Sequence, residues 1–412
     1  MVKMLVTGAY CALNKGDAAL RLGGLPSIKE FIPDAEFTIM TLFPEIDSKI
    51  YKDGKVIRAI DSPLKAVSAV IRCGTWKVLH DYLSLKYGIV DKILNTDEIK
   101  EYINSDIVVD ISGDSISEVT GFRGTIYHFL HVWLALTLNK PTIVYAQSVG
   151  PFKYTKPIAK NLLNKVDLIT LRGKISYDYL KEMDINRPPM YLTADLAFLM
   201  MPASKERIDR IFSNFEIKGN SFVGMSISNM IATHYGLKTN YANYTKLMVD
   251  TIDYMVKNLN VVVILIPHVT GPKEEFDDRV ISEDVYNNIK NKNKVILIKE
   301  DFTPQEMWGI IGRCDLFIGA RMHACIGALS MCVPTINISY HHKSNEIMAM
   351  FELEKNVINA QEANYDDLIS RINDTWTNRK EIKEKISSKI YDIKKMAILN
   401  AEYLKNFLRK SM

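Results

Sequence analysis

Residues 315–343 read DLFIGARMHACIGALSMCVPTINISYHHK. An apolar run at 316–318 stops at Gly319, small and apolar residues fill 322–331, Pro334 breaks that stretch, and a β-branched run follows at 335–338. Strand, helix and strand in so short a span predict a parallel crossover, because parallel neighbours need a connection of a dozen or more residues. The stretch predicts an α/β fold built on a parallel sheet.

The same alternation extends in both directions. Strands are expected at 222–227, 261–266 and 295–298, with helices near 244–258 and 304–312. The first half repeats the theme, with strands at 3–7, 36–41, 55–60, 106–111, 142–147, 167–171 and 190–193 and helices at 125–138 and 156–164. Two series suit a chain of 412 residues, which exceeds the size at which one core keeps growing. Pro202-Ala203-Ser204 interrupts the periodicity, so the divide is expected at 203. Residues 1–203 then form one Rossmann-like domain, 204–370 a second, and 371–412 an amphipathic helical tail packed on the body. In that tail Ile382, Ile386, Ile390, Ile393, Ala397, Leu404 and Leu408 recur near helical spacing.

A chain that is 47% hydrophobic and 24% charged is globular, not disordered. Its net charge of +4 is concentrated in 371–412, where eleven Lys/Arg face five Asp/Glu. The wet face of a helix explains that excess, so no nucleic-acid partner is expected. Five cysteines without a CxxC pair read as reduced core thiols. No signal-peptide pattern opens the chain and no run reaches ~18 apolar residues, so the expected location is cytoplasmic, including the inner face of the membrane. Residues 64–88 carry Trp76, Tyr82 and Tyr87 among apolar positions. They suit either a flap facing acceptor or membrane, with peripheral membrane association, or an extra core-packed helix.

The chemistry gathers where strands end. Arg321 and His323 fall at the start of a helix, where free N–H groups and the dipole favour an anion. The next strand delivers Tyr340, His341, His342 and Lys343 to the same edge. A lone histidine is more often a satisfied core residue; a cation, an imidazole and a second-strand lysine together favour a site. No GxGxxG or Walker pattern opens a helix, which disfavours NAD and ATP. Adjacent histidines on a strand point apart, so neither His341-His342 nor His268 predicts a metal.

The segment Gly319-Ala320-Arg321-Met322-His323-Ala324, followed by Val333-Pro334 and Tyr340-x-x-Lys343, resembles the signature of the polysaccharide pyruvyl transferase family. The resemblance continues in Asn14-Lys15-Gly16-Asp17, Asp110-Ile111-Ser112-Gly113-Asp114-Ser115, Gln147-Ser148-Val149-Gly150-Pro151, Arg172-Gly173 and Ala194-Asp195, in order over about residues 3 to 350. It implies a glycosyltransferase-B-like architecture of two Rossmann-like domains facing across a cleft, with phosphoenolpyruvate as donor and a sugar or lipid-linked oligosaccharide as acceptor. No cofactor beyond that co-substrate is implied. The resemblance makes His323 the general acid/base and gives Arg172 and Lys343 the donor's phosphate or carboxylate. Arg321 either braces the helix start or touches phosphate. Asn14, Gly16, Asp17, Gly113, Asp114, Ser115, Gln147 and Tyr340 are the remaining candidate substrate contacts, and Asp195 is expected to cap or brace. The family often has Asp after the first-domain arginine; Gly173 stands there, so Arg172 is expected to lack an electrostatic partner. Two other readings stay open: a nucleotide-sugar glycosyltransferase of the same fold, and a non-catalytic sugar- or anion-binding protein.

Overall fold

The computed structural model describes residues 1–83, 91–94, 96–118, 121–215, 221–233, 241–339 and 342–411. The chain divides into two compact units, one of residues 1–12, 20–196 and 396–412, the other of 13–19 and 197–395.

The first unit holds a seven-stranded sheet of β1 (Val2–Ala9), β2 (Ala35–Thr41), β3 (Lys55–Arg58), β4 (Ile107–Asp110), β5 (Thr142–Gln147), β6 (Leu168–Leu171) and β7 (Met190–Leu192). Their order is β3-β2-β1-β4-β5-β6-β7, with every pairing parallel. β4, β5 and β6 are buried at every position, which is why they read as apolar runs without alternation. Helix Gly121–Thr137 packs between helices Pro63–Leu83 and Lys156–Leu163, the shared face that right-handed crossovers after β3, β4 and β5 require.

The second unit holds β8 (Phe222–Ser226), β9 (Val262–Leu265), β10 (Val295–Leu297), β11 (Leu316–Gly319), β12 (Thr335–Ser339) and β13 (Val357–Asn359), ordered β10-β9-β8-β11-β12-β13 and again parallel. Helix Pro304–Ile311 opens with a capping box between Thr303 and Glu306 and has Pro304 at its first turn, so the chain marks its start locally. Strand order reverses between β1 and β4 and between β8 and β11. In open α/β sheets ligands bind beyond the carboxyl ends at such reversals.

Each strand expected from the sequence forms within two residues of its expected bounds; β13 was missed, because Val-Ile-Asn is too short to show a period. The division of the chain follows packing instead of the break at Pro202. Residues 197–203 go with the second unit, where Phe198 meets Phe351 and the Ala203 amide donates to Gln305 O. The expected tail is one helix, Arg379–Ser411, that passes from the second unit into the first after Lys395. Ile386, Ile393, Ala397, Leu404 and Leu408 are its buried stripe.

Candidate functional site

On the second unit the site grows from β11. Its end, Gly319, leads through Ala320 to Arg321, which is the N-cap of helix Met322–Ser330 and places His323 in the first turn. Arg321 is buried and clamps Asp278 with two nitrogens, Nε at 3.1 Å and Nη2 at 2.6 Å, while Nη2 also donates to Phe276 O. Asp278 accepts in addition from the amides of Asn229 and Val269, both at 3.0 Å. One carboxylate thus ties together the loops that follow β8, β9 and β11. Of the two expected roles for Arg321, the brace is the one this geometry shows.

The segment 13–19 belongs to this same unit. The Lys15 amide donates to His268 O, the Thr270 amide donates to Leu13 O, and Asn14 bridges Val269 in antiparallel fashion. Lys15, 2% exposed, pairs with Asp301 at 2.6 Å. A Cβ on Gly16 would lie 2.4–2.6 Å from the His323 ring, so only glycine lets the helix start and the imidazole approach this closely. Asn14 Oδ1 accepts from the amides of Gly16 and Asp17, a helix-capping role. Asp17 is buried in that first turn.

His268 completes the cluster. It is buried, neither ring nitrogen meets a partner among the described residues, and its pKa is held well below the ordinary histidine value. Burial is the first cause, and the nearby His323, Arg321 and Lys15 add to it. His268 is therefore a neutral imidazole within a cationic group.

On the first unit the corresponding edge is built from β4, β5, β6 and β7. Asp110 accepts from Thr7 Oγ1, the Ser112 amide and Gln147 Nε2, and Ser112 Oγ donates to Gln147 Oε1. Gln147 is wholly buried with both ends of its amide engaged, so it holds the framework and is not the expected substrate contact. Gly113 takes φ +74°, and a Cβ there would press on Leu20 at 2.8 Å and reach Arg172 Nη1 at 3.6 Å. The glycine turn therefore lies directly against the guanidinium. Asp114 is exposed beside it, while the Ser115 hydroxyl donates to Ser112 O inside the turn.

Arg172 is 3% exposed; its Nε donates to Ser148 Oγ at 2.9 Å and its Nη1 to Asp195 at 2.6 Å. The expectation that Gly173 deprives it of a partner is overturned. The carboxylate comes from the end of β7, where Asn400 of the C-terminal helix receives the Thr193 hydroxyl and donates to Ala194 O. Arg172 Nη2 is buried and meets no acceptor among the described residues.

Tyr340 and His341 lie outside the described residues. His342 and Lys343 open helix His342–Met350 after β12, and nothing is described of their side chains. Lys15, His268, Asp278 and Asp301 were missed as site residues from sequence. Lys15 carried the best available signal, a basic residue inside the Asn14-to-Asp17 turn. Burial pushes the Cys73 and Cys325 thiols up to about 12, which makes both poor nucleophiles.

Two parallel-sheet units with polar and cationic side chains gathered at their strand ends place the protein in the glycosyltransferase-B-like class. Solved structures share the fold: UDP-GlcNAc 2-epimerase from Neisseria meningitidis bound to UDP-GlcNAc, at TM-score 0.63 and 11% identity with all of both chains covered, and HepE from Anabaena in complex with UDP-glucose, at 0.58 and 12%, again over all of both. At those identities the likeness concerns the fold alone. The family described as polysaccharide pyruvyl transferase matches residues 14–342, and the chain belongs to it. Amylovoran biosynthesis protein AmsJ of Erwinia amylovora is 22% identical over 400 residues, covering 94% of this chain and 95% of AmsJ.

Proposed function

We propose that the protein moves pyruvyl from phosphoenolpyruvate onto two hydroxyls of a sugar in a cell-surface or exopolysaccharide precursor, free or lipid-linked, closing a ketal. The observation that carries this reading is His323 at a helix start, packed on Gly16 and close to His268, which Lys15 and Arg321 also approach. The reaction needs an acid and an anion site. A proton goes to the methylene carbon, which becomes a methyl group, and one sugar hydroxyl bonds to the adjacent carbon. Phosphate leaves that carbon with the bonding pair, and the second hydroxyl takes its place. One hydroxyl proton replaces the one given to the methyl group; the other leaves with phosphate.

His323 suits the acid/base role, since an imidazole can both give and accept a proton and the helix start favours an anion beside it. His268, kept neutral, adds hydrogen-bonding capacity to an anion site without adding charge. Arg172, with an unused buried Nη2, and Lys343 are assigned the phosphate or carboxylate of the donor; a planar guanidinium can clamp an oxyanion at two points. Asp17, Asp114 and Ser115 are assigned to the acceptor.

The test is phosphate release from phosphoenolpyruvate with candidate acceptor sugars. His323→Ala is expected to lower turnover about 10²–10⁴-fold, and unchanged activity would remove His323 from the mechanism. Consumption of a nucleotide sugar in place of phosphoenolpyruvate would transfer the protein to the glycosyltransferase reading.

A further inference from the structure

Of the two expectations for residues 64–88, core packing is met by helix Pro63–Leu83, and residues 84–88, Tyr87 among them, lie outside the described residues. One side of that helix packs inward through Ala69, Cys73 and Trp76. The other carries Leu64, Val67, Ile71 and Val78, spaced for a single helical stripe and 84%, 58%, 62% and 54% exposed. Phe122 and Ile126 of helix Gly121–Thr137 and Ile158 of helix Lys156–Leu163 extend the apolar surface, and with Val67 and Ile71 they line a groove of about 770 Å³. A contiguous apolar patch on this scale marks a docking surface, unlike scattered exposed residues.

The charge around it selects the occupant. Exposed Arg123 lines the groove, exposed Lys153 follows Phe152, whose ring packs on the lining residue Phe129, and helices Gly121–Thr137 and Lys156–Leu163 contain no acidic residue. Arg123 and Lys153 form no ion pair among the described residues, whereas Lys160, on the far side of its helix from Ile158 and Leu162, is paired with Asp184 at 2.8 Å. Asp61, the carboxylate in the groove lining, is already paired with Lys65 at 3.1 Å and faces Arg58. Tyr154 is 69% exposed with Lys153 over its ring, the pairing of amphipathic aromatic and cation found at a membrane–water interface. A second copy fits poorly, because a two-fold contact would set one basic border against its equal.

We propose that this face seats the protein on an anionic lipid bilayer. No helix among the described residues is long and apolar enough to cross a membrane, so the association is peripheral. The three helices begin after β3, β4 and β5, so the seated face borders the same strand-end edge that carries Gly113 and Arg172. The inference does not depend on the transfer reaction.

The test is co-sedimentation of the full chain with vesicles of phosphatidylglycerol and phosphatidylethanolamine, against vesicles of phosphatidylcholine alone. Binding to the anionic vesicles is expected, weakened by salt. Ile71→Glu with Phe122→Glu should lower it roughly tenfold or more. Arg123→Gln with Lys153→Gln should lower it by about fivefold per cation on anionic vesicles only, and this pair carries the test if the apolar pair does not fold. Absence of wild-type binding to anionic vesicles overturns the proposal. So does a lipid-free dimer, seen by sedimentation velocity, that Ile71→Glu dissolves, since a second copy would then cover the face.

Discussion

Arg172 and Arg321 occupy like positions on the two units: each follows the end of a parallel strand, each is buried, and each holds a wholly buried carboxylate at 2.6 Å. They differ in what is left over. Arg321 gives two nitrogens to Asp278, and that carboxylate also takes two loop amides, so the pair is a knot that fixes the helix start under His323. Arg172 spends Nη1 on Asp195 and Nε on Ser148, and its Nη2 remains beside the glycine turn. The two ion pairs thus differ in spare hydrogen-bonding capacity: Arg172 Nη2 meets no acceptor among the described residues.

The comparison breaks most visibly at the carboxylates. Asp278→Ala leaves Arg321 buried without compensation and strips two amides of their acceptor; a loss of about 3–5 kcal/mol in urea-unfolding stability is expected. Stability within about 1 kcal/mol of the parent would show that Asp278 is no knot. A swap of each arginine to lysine sharpens the contrast, because lysine keeps the charge and discards the fork. Arg172→Lys is expected to raise KM for phosphoenolpyruvate or lower kcat/KM about 10–100-fold with little change in unfolding midpoint, whereas Arg321→Lys should shift the midpoint first. The reverse pattern would exchange their roles.

Gly16→Ala tests whether the framework of the second unit positions His323. The added methyl must displace the ring, so a drop of about tenfold in kcat is expected, with unfolding little affected. The smallest effect is a pH dependence shared by both units. Burial lowers the pKa of His131, hydrogen-bonded to Tyr102, to about 4 and holds His268 well below its usual value. Both are neutral when folded, while the unfolded chain protonates near pH 6.5. Their contribution is therefore present above pH 6.5 and is lost as pH falls below it, for His131 down to about pH 4. The slope should be up to roughly 1 kcal/mol per pH unit for each histidine, and His131→Asn should flatten it in urea titrations at stepped pH.

Much of the architecture was legible because its signals are local. The apolar runs of β4, β9 and β11 stand out in sequence since a strand covered on both faces has no wet side to encode. The helix start under His323 was legible too, from a Gly after a strand and small residues beyond it. β13 was not, being three residues long, nor was the outer face of helix Pro63–Leu83, whose apolar residues look like core until the neighbours are known. Arg172 shows how a local reading fails: its partner was sought one residue away, at Gly173, and stands 23 residues on, at Asp195.

By itself, then, the sequence determined the succession of strands and helices and the residue types at their ends, because period and capping act over a few residues. Tertiary structure decided which ends meet. The order of strands brings the loops of His268, Asp278 and Asp301 to the edge of Arg321 and His323, packing adds the turn of Lys15 and Gly16 across about 300 residues, and Arg172 Nη2 is left without an acceptor among the described residues. Those facts depend on parallel crossovers that place distant strand ends side by side, and no spacing within the chain encodes that adjacency.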